Sequence, residues 1–202
     1  VNAGARPVFA DVDASSQNIT ADTIRPVLSR KTKAIICVHL AGWPCEMDSI
    51  NRLAQQHGLA VIEDCAQAHG ATYRGRPVGS LSDVAAFSFC QDKIMTTGGE
   101  GGLLVTDDEA VWRRAWAYKD HGKSHAAEYN PEAAQGRTFR WLHESFGSNF
   151  RMTEMQAAIG RIQLERMPAW HARRLEIANR IWSVAANLPG LRVPEIPDHI
   201  EH

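Results

Sequence analysis

AIICVHLAGWPCEMDSINRLAQQHGLAVI, residues 34–62, decides the fold. It opens with an apolar run, 34–40, that carries Ile35, Ile36 and Val38, and it closes with a second short apolar run at 59–62. Runs of this length and composition read as buried strands. The segment between them, 47–57, reads as a helix, and Gly58 stands where a left-handed C-terminal cap is expected. Strand, helix, strand is a crossover unit, the connection that parallel neighbours in a sheet require.

The same alternation continues on both sides. PVFADV (7–12), VAAFSF (84–89) and GLLVT (102–106) are further strand-length runs, and 20–29 reads as a helix between the first two strands. The expected fold class is α/β, a mostly parallel mixed sheet in a three-layer α/β/α arrangement. Further on, DEAVWRRAWAYK (108–119) is helical behind a cap at Asp107, whereas HGKSHAAEYNPEAAQG (121–136) lacks periodicity and reads as an exposed loop. Two helices are expected at 153–167 and 168–188, the second with Trp170, Ile177, Ile181, Trp182, Ala185 and Leu188 on one apolar stripe. Pro189 and Gly190 end it, and the Pro-rich tail reads as the start of another unit, so the expected division is 1–188 and 189–202.

Composition narrows the function. The 202 residues are 44% hydrophobic and 22% charged, ordinary for a globular protein. Lys and Arg number 22 against 23 Asp and Glu, so nothing points to nucleic acid as a partner. No apolar run approaches the ~20 residues that span a bilayer, and the opening VNAGARPVFADVD does not read as a leader; no membrane association and a cytoplasmic location are expected. The four cysteines form no Cys-x-x-Cys pair and the nine histidines no helical metal-ligand spacing, so no metal is expected.

The chemistry-bearing residues lie at two strand ends. VIEDCAQAHG (61–70) delivers Glu63 and Asp64 at the carboxyl end of a strand, followed by Gln67 and His69. AAFSFCQDKIMTTGGEGG (85–102) hands Ser88, Asp92 and Lys93 into a Gly- and Thr-rich turn. Ligands of open α/β sheets gather at that edge. Taken singly, each has a plainer reading: Asp64 as a cap or turn former, Lys93 as a solvated cation, Ser88, Gln67 and His69 as packing or capping groups. GGEGG has neither the ending of a phosphate-binding P-loop nor the spacing of a dinucleotide-binding turn, and it reads as a place of close backbone packing.

Taken together, EDCAQAHGATYRGRPVGSLSDVAAFSFCQDKIMTTGGEGGLLVTDDE (63–109) and GSNFRMTEMQAAIGRIQLE (147–165), with GARPVFADVD (4–13) at the start, resemble the DegT/DnrJ/StrS family of sugar aminotransferases. Members share the fold of the aspartate aminotransferases, and the chain would be their large domain that binds pyridoxal 5'-phosphate (PLP). The resemblance implies that Lys93 holds PLP as a Schiff base and carries the proton between substrate and cofactor. Asp64 would pair with the pyridine nitrogen, Gln67 would stand by the phenolic oxygen, and Ser88 would donate to the phosphate. Asn149 would reach the phosphate of a cofactor held by a neighbouring subunit, which implies a homodimer with shared sites.

The implied reaction moves an amino group from an amino acid, usually glutamate, to a nucleotide-linked keto-sugar for lipopolysaccharide, O-antigen or antibiotic sugars. Arg151, His121 and Lys123 are further candidates near the site, though solvation is the better reading of Lys123. Cys90, Gln91 and Asp92 depart from the Tyr-x-x-Lys form common in the family. A branch that dehydrates keto-sugars replaces the lysine by histidine, and Lys93 argues against it. Members also extend beyond both ends of this sequence, so a truncated chain is expected. A silent fragment that serves as an oligomerisation or binding module is one alternative. A nucleotide-binding domain of Rossmann type is another, disfavoured because no Gly-rich turn follows the first strand.

Overall fold

A computed structural model describes residues 2–129 and 143–202. Its elements run α1 (Ala21–Ile24), β1 (Ala34–Val38), α2 (Met47–His57), β2 (Ala60–Asp64), β3 (Thr72–Tyr73), β4 (Arg76–Pro77), β5 (Val84–Ser88), β6 (Gly102–Val105), α3 (Glu109–Lys119), α4 (His125–Tyr129), α5 (Glu154–Ala185) and β7 (Ile200–Glu201). The main sheet has the order β1-β2-β5-β6, parallel at its first two pairings and antiparallel between β5 and β6. This is the α/β class with a mostly parallel mixed sheet.

The crossover unit forms as its sequence dictates. Gly58 caps α2 at φ +62, ψ 40, and its N–H returns to the carbonyls of Ala54 and Gln55. On the inward side of α2, Met47, Ile50 and Leu53 pack with Ile35, Cys37, Val61 and Ala85 of the sheet. Full burial of Met47, Ile50, Leu53, Ile35 and Val61 contributes about 1.5–3 kcal/mol each. Alternation along β1 puts Ile35 and Cys37 into that core, while Ile36 and Val38 point to the other face and are 60% and 41% exposed. The register aligns Val38 with Asp64 and Asp64 with Ala86, so Asp64 belongs to this second, open face.

A smaller sheet, β4-β3-β7, flanks the core. Arg74 and Gly75, both at positive φ, make the two-residue turn of its hairpin. β7 then pairs with β3, so the tail folds back onto the body of the protein.

Several expected elements differ. Residues 7–12 form no strand: Val8 and Phe9 are 65% and 88% exposed, and the segment joins no ladder among the described residues. The helix expected at 20–29 stops at Ile24 and tightens into a 3-10 turn, because Pro26 cannot donate the N–H an α-helix would need there. The cap of α3 is Asp108, whose Oδ1 accepts from Ala110 and Val111, and not Asp107. The stretch read as loop contains α4, and its part from 130 to 136 lies outside the described residues. The two helices expected around Pro168 are one, because the carbonyl that proline leaves unbonded belongs to exposed Leu164. The expected apolar stripe divides: Ile177, Ile181 and Leu188 are 41%, 60% and 49% exposed, whereas Trp170, Trp182 and Ala185 are partly covered. Trp182 joins His171, Leu175 and Ala178 in lining a cavity.

Candidate active site

The end of β2 places two acids back to back. Glu63 faces the core and is fully buried, whereas Asp64 is half-buried on the open face, where its Oδ1 accepts the Ala66 N–H at 3.0 Å. Gln67 follows on the connecting turn, its Oε1 accepting the Ala41 N–H at 2.7 Å. Buried His69 then ties this segment to the end of β5, its Nε2 2.9 Å from the Ser88 carbonyl. Ser88 lies two residues beyond Ala86 and therefore on Asp64's face. Its Oγ accepts the Cys90 N–H at 3.3 Å, which leaves its own proton to donate elsewhere.

Lys93 is half-buried in the loop that leaves β5. That loop closes on itself through Phe89 N–H to the Gly101 carbonyl, 2.8 Å, and Thr97 N–H to the Phe89 carbonyl, 3.1 Å. One face of α5 pins it. Gln163 Oε1 accepts the Thr96 N–H at 2.8 Å, and Gln156 Nε2 donates to the Glu100 carbonyl at 2.6 Å. Between them Gly160 allows close approach, since a Cβ there would sit 3.0 Å from Thr97 Cγ2. Sequence reasoning missed Gln156, Gly160 and Gln163, although their spacing puts them on one helix face. Burial and the nearby Lys93 charge hold the His69 imidazole below its ordinary value, against the opposing pull of the Ser88 carbonyl. With its proton on Nε2, His69 leaves Nδ1 as a buried acceptor without a hydrogen-bond partner.

Asn149 belongs elsewhere. It bridges Asp120 across an antiparallel contact, and its Oδ1 accepts from Arg151 Nε at 2.9 Å. Arg151 also lies 3.6 Å from Asp120 Oδ1 and 3.3 Å from His121 Nε2, and Lys123 Nζ is 3.3 Å from the same carboxylate. Burial alone would raise the Asp120 carboxyl, but the hydrogen bond and charge of Lys123 and the charges of Arg151 and Lys119 hold it low. Asp64, Gln67, Ser88 and Lys93 thus gather at the sheet edge, and Arg151, His121 and Lys123 gather around Asn149.

Behind the edge, Glu63 is a hub. Its Oε2 accepts from His39 Nε2 at 3.0 Å and Gly79 N–H at 2.8 Å, and its Oε1 accepts from Leu81 N–H at 2.9 Å and Ser82 Oγ at 3.0 Å. His39 Nδ1 accepts the Cys45 N–H, so the proton sits on Nε2 and points at the carboxylate. Burial pushes the Glu63 carboxyl up, but His39 and the Gly79 and Leu81 amides outweigh it, and the group is held below its ordinary range. His39, Glu63 and Cys65 stand close enough to hold a metal ion together. The protons already directed at Glu63 and His39 oppose that reading, and burial raises the Cys65 thiol away from the thiolate a metal would need.

A cavity of about 510 Å³ opens beside Gln67 and Ile94, walled by Trp43, His69, His171 and Trp182. The family model for the DegT/DnrJ/EryC1/StrS aminotransferase family matches residues 1–202. The chain belongs to this family.

Among solved structures, an aminotransferase from Psychrobacter cryohalolentis is 61% identical with a TM-score of 0.92, over 96% of this chain and 49% of its own. The GDP-perosamine synthase of Escherichia coli O157:H7 is 41% identical over 87% of this chain and 45% of its own length. The dTDP-3-amino-3,4,6-trideoxy-alpha-D-glucose transaminase of Streptomyces venezuelae is 37% identical over 95% and 47%. The chain thus spans about half the length of the curated family members it matches. Among the described residues no helix is long and apolar enough to cross a membrane.

Proposed function

We propose that this chain carries the cofactor-binding part of a cytoplasmic PLP-dependent aminotransferase that moves an amino group from an amino acid, glutamate in the usual case, to a nucleotide-linked keto-sugar. The observation that carries this reading is the set of free groups at the sheet edge: an amine at Lys93, a carboxylate at Asp64, an amide N–H at Gln67 and a hydroxyl at Ser88. These match, group for group, the aldehyde, the protonated ring nitrogen, the phenolic oxygen and the phosphate of PLP. The nucleotide-sugar substrates named for the E. coli and Streptomyces relatives support the acceptor class.

Each residue has a defined task. Bound PLP supplies an electron sink for the carbon that exchanges the amine. Asp64, fixed at the end of β2 and braced by the Ala66 N–H, holds a proton on the ring nitrogen. Lys93 anchors the cofactor and, once released, moves the proton at the reacting carbon. Ser88 would donate a hydrogen bond from its hydroxyl to the phosphate, and Gln67 would give an amide N–H to the phenolic oxygen. Exposed Asn149, in its separate cluster, would serve the phosphate of a second subunit, which makes the working unit a homodimer. In the same reading, residues 1–188 are the PLP-binding domain and 189–202 begin a smaller one.

The test is to add PLP, record the visible spectrum, reduce with borohydride and map the pyridoxyl mass. An adduct on the peptide containing Lys93, and loss of the visible band on adding glutamate, are expected. Absence of the adduct from the full-length enzyme would sink the proposal.

A further inference from the structure

Gln67 can serve a phenolic oxygen only if its amide is turned the right way, and the structure shows what turns it. A backbone N–H can only donate, so the 2.7 Å contact with Ala41 N–H assigns Oε1 to that side and leaves the NH₂ group to face the site. Ala41 presents its N–H from a left-handed backbone, φ 54 and ψ 24, a conformation that a non-glycine residue holds only when its surroundings impose it.

The group that imposes it is Asn18, which is 2% exposed. Its Oδ1 accepts the Leu40 N–H at 3.1 Å and its Nδ2 donates to the Trp43 carbonyl at 2.7 Å, so one side chain clasps both ends of the turn that carries Ala41. Asn18 is itself held. Its carbonyl accepts the Asp13 N–H at 2.8 Å, and Asp13 Oδ1 takes the N–H groups of Ser15 and Ser16 at 2.9 Å each. The turn is further tied to β2 by His39 N–H to the Asp64 carbonyl at 3.1 Å.

We propose that Asn18 is a positioning residue: by clasping the turn at residues 40–43 it holds the Ala41 N–H against Gln67 Oε1, and so directs the Gln67 NH₂ group to the phenolic oxygen of PLP. Asn18 touches neither cofactor nor substrate and acts only through the turn. The proposal rests on the PLP reading for its consequence, but its structural half is testable without cofactor.

The first measurement is amide hydrogen exchange on the PLP-free chain. Asn18→Ala, and Asn18→Asp as a milder variant that keeps the Leu40 acceptor and loses the donor to Trp43, should each speed exchange of the Ala41 N–H by roughly tenfold or more. The Cys37 and Ile62 amides, which face each other's strand in the β1–β2 ladder, should stay protected, which separates loss of the clasp from loss of the fold.

The second measurement is the visible spectrum of the PLP-loaded protein. Gln67→Glu, which replaces the donor by an acceptor, should shift the band, and Asn18→Asp should shift it in the same direction by a smaller amount. On a Gln67→Leu background, Asn18→Asp should add no further shift, an outcome a merely structural role would not produce. Unchanged Ala41 exchange in both Asn18 variants, or a further spectral shift when Asn18→Asp is combined with Gln67→Leu, overturns the proposal. If wild-type protein forms no adduct at Lys93 while Ala41 exchange responds as stated, the cofactor reading fails and the clasp stands as structure alone.

Discussion

Glu63 and Asp64 are neighbours in sequence and opposites in circumstance. Strand alternation sends Glu63 into the core, where two backbone amides, an imidazole and a hydroxyl bind it, and sends Asp64 to the open face, where one backbone amide does. A carboxylate surrounded by donors is a structural anion that organises its neighbours. A carboxylate with an oxygen to spare, at the carboxyl edge of a parallel sheet, is available for a ligand. The difference teaches that the sheet uses one face for cohesion and leaves a carboxylate with spare acceptor capacity on the other, the face proposed to hold the cofactor, within a single dipeptide.

The strongest attempt to break that division is Glu63→Ala. It strips acceptors from His39, Gly79, Leu81 and Ser82 in a buried space, and about 3–5 kcal/mol of unfolding free energy should be lost in a urea titration. Asp64→Ala should do the reverse: transamination by the full-length enzyme falls on the order of 10²–10³-fold, with stability changed by less than about 1 kcal/mol. Comparable destabilisation by the two variants would erase the distinction.

Gly79 sharpens the same comparison, because its N–H serves Glu63 while its φ is +88 and a Cβ there would lie 2.7 Å from the Phe87 ring. Gly79→Ala should cost about 1–3 kcal/mol, seen as a lower melting temperature. Acid titration offers a graded version. The folded-state carboxyl of Glu63 lies below its ordinary value of 4.5, so the stability it contributes is full above that pH and is lost as pH falls through the folded value. Glu63→Gln should therefore flatten part of the acid arm of the stability curve, whereas Asp64→Asn should leave that part in place. The smallest effect is expected at the far side of the site. Gln156→Ala removes one hydrogen bond to the Lys93 loop together with the acceptor of the Thr153 N–H at the start of α5, and should cost about 1–2 kcal/mol, with faster amide exchange at residues 96–101 and at Thr153.

Much of the active edge was legible because it depends on local order. Two strand ends, each followed by polar residues, place Asp64, Gln67, Ser88 and Lys93 at one edge once the sheet is parallel, and the crossover unit at 34–62 makes it so. The apolar pattern, the Gly58 cap and the family motifs are all local or carried by residue identity. What the chain could not disclose are matters of contact over distance. Pro7 and the apolar residues after it have strand composition but no ladder among the described residues, because a strand exists only through its neighbour. Pro168 carries a helix-breaking signal that α5 runs through, the carbonyl it leaves unbonded belonging to exposed Leu164. That Glu63 is a buried hub, unlike Asp64 beside it, follows from Gly79, Leu81 and His39 converging on it from other parts of the chain. That Gln156 and Gln163 hold the Lys93 loop, and Asn18 the Ala41 turn, required those segments to meet in space. Local pattern determined which residues could do chemistry, and tertiary hydrogen bonding decided which of them were already satisfied and which were left free to act.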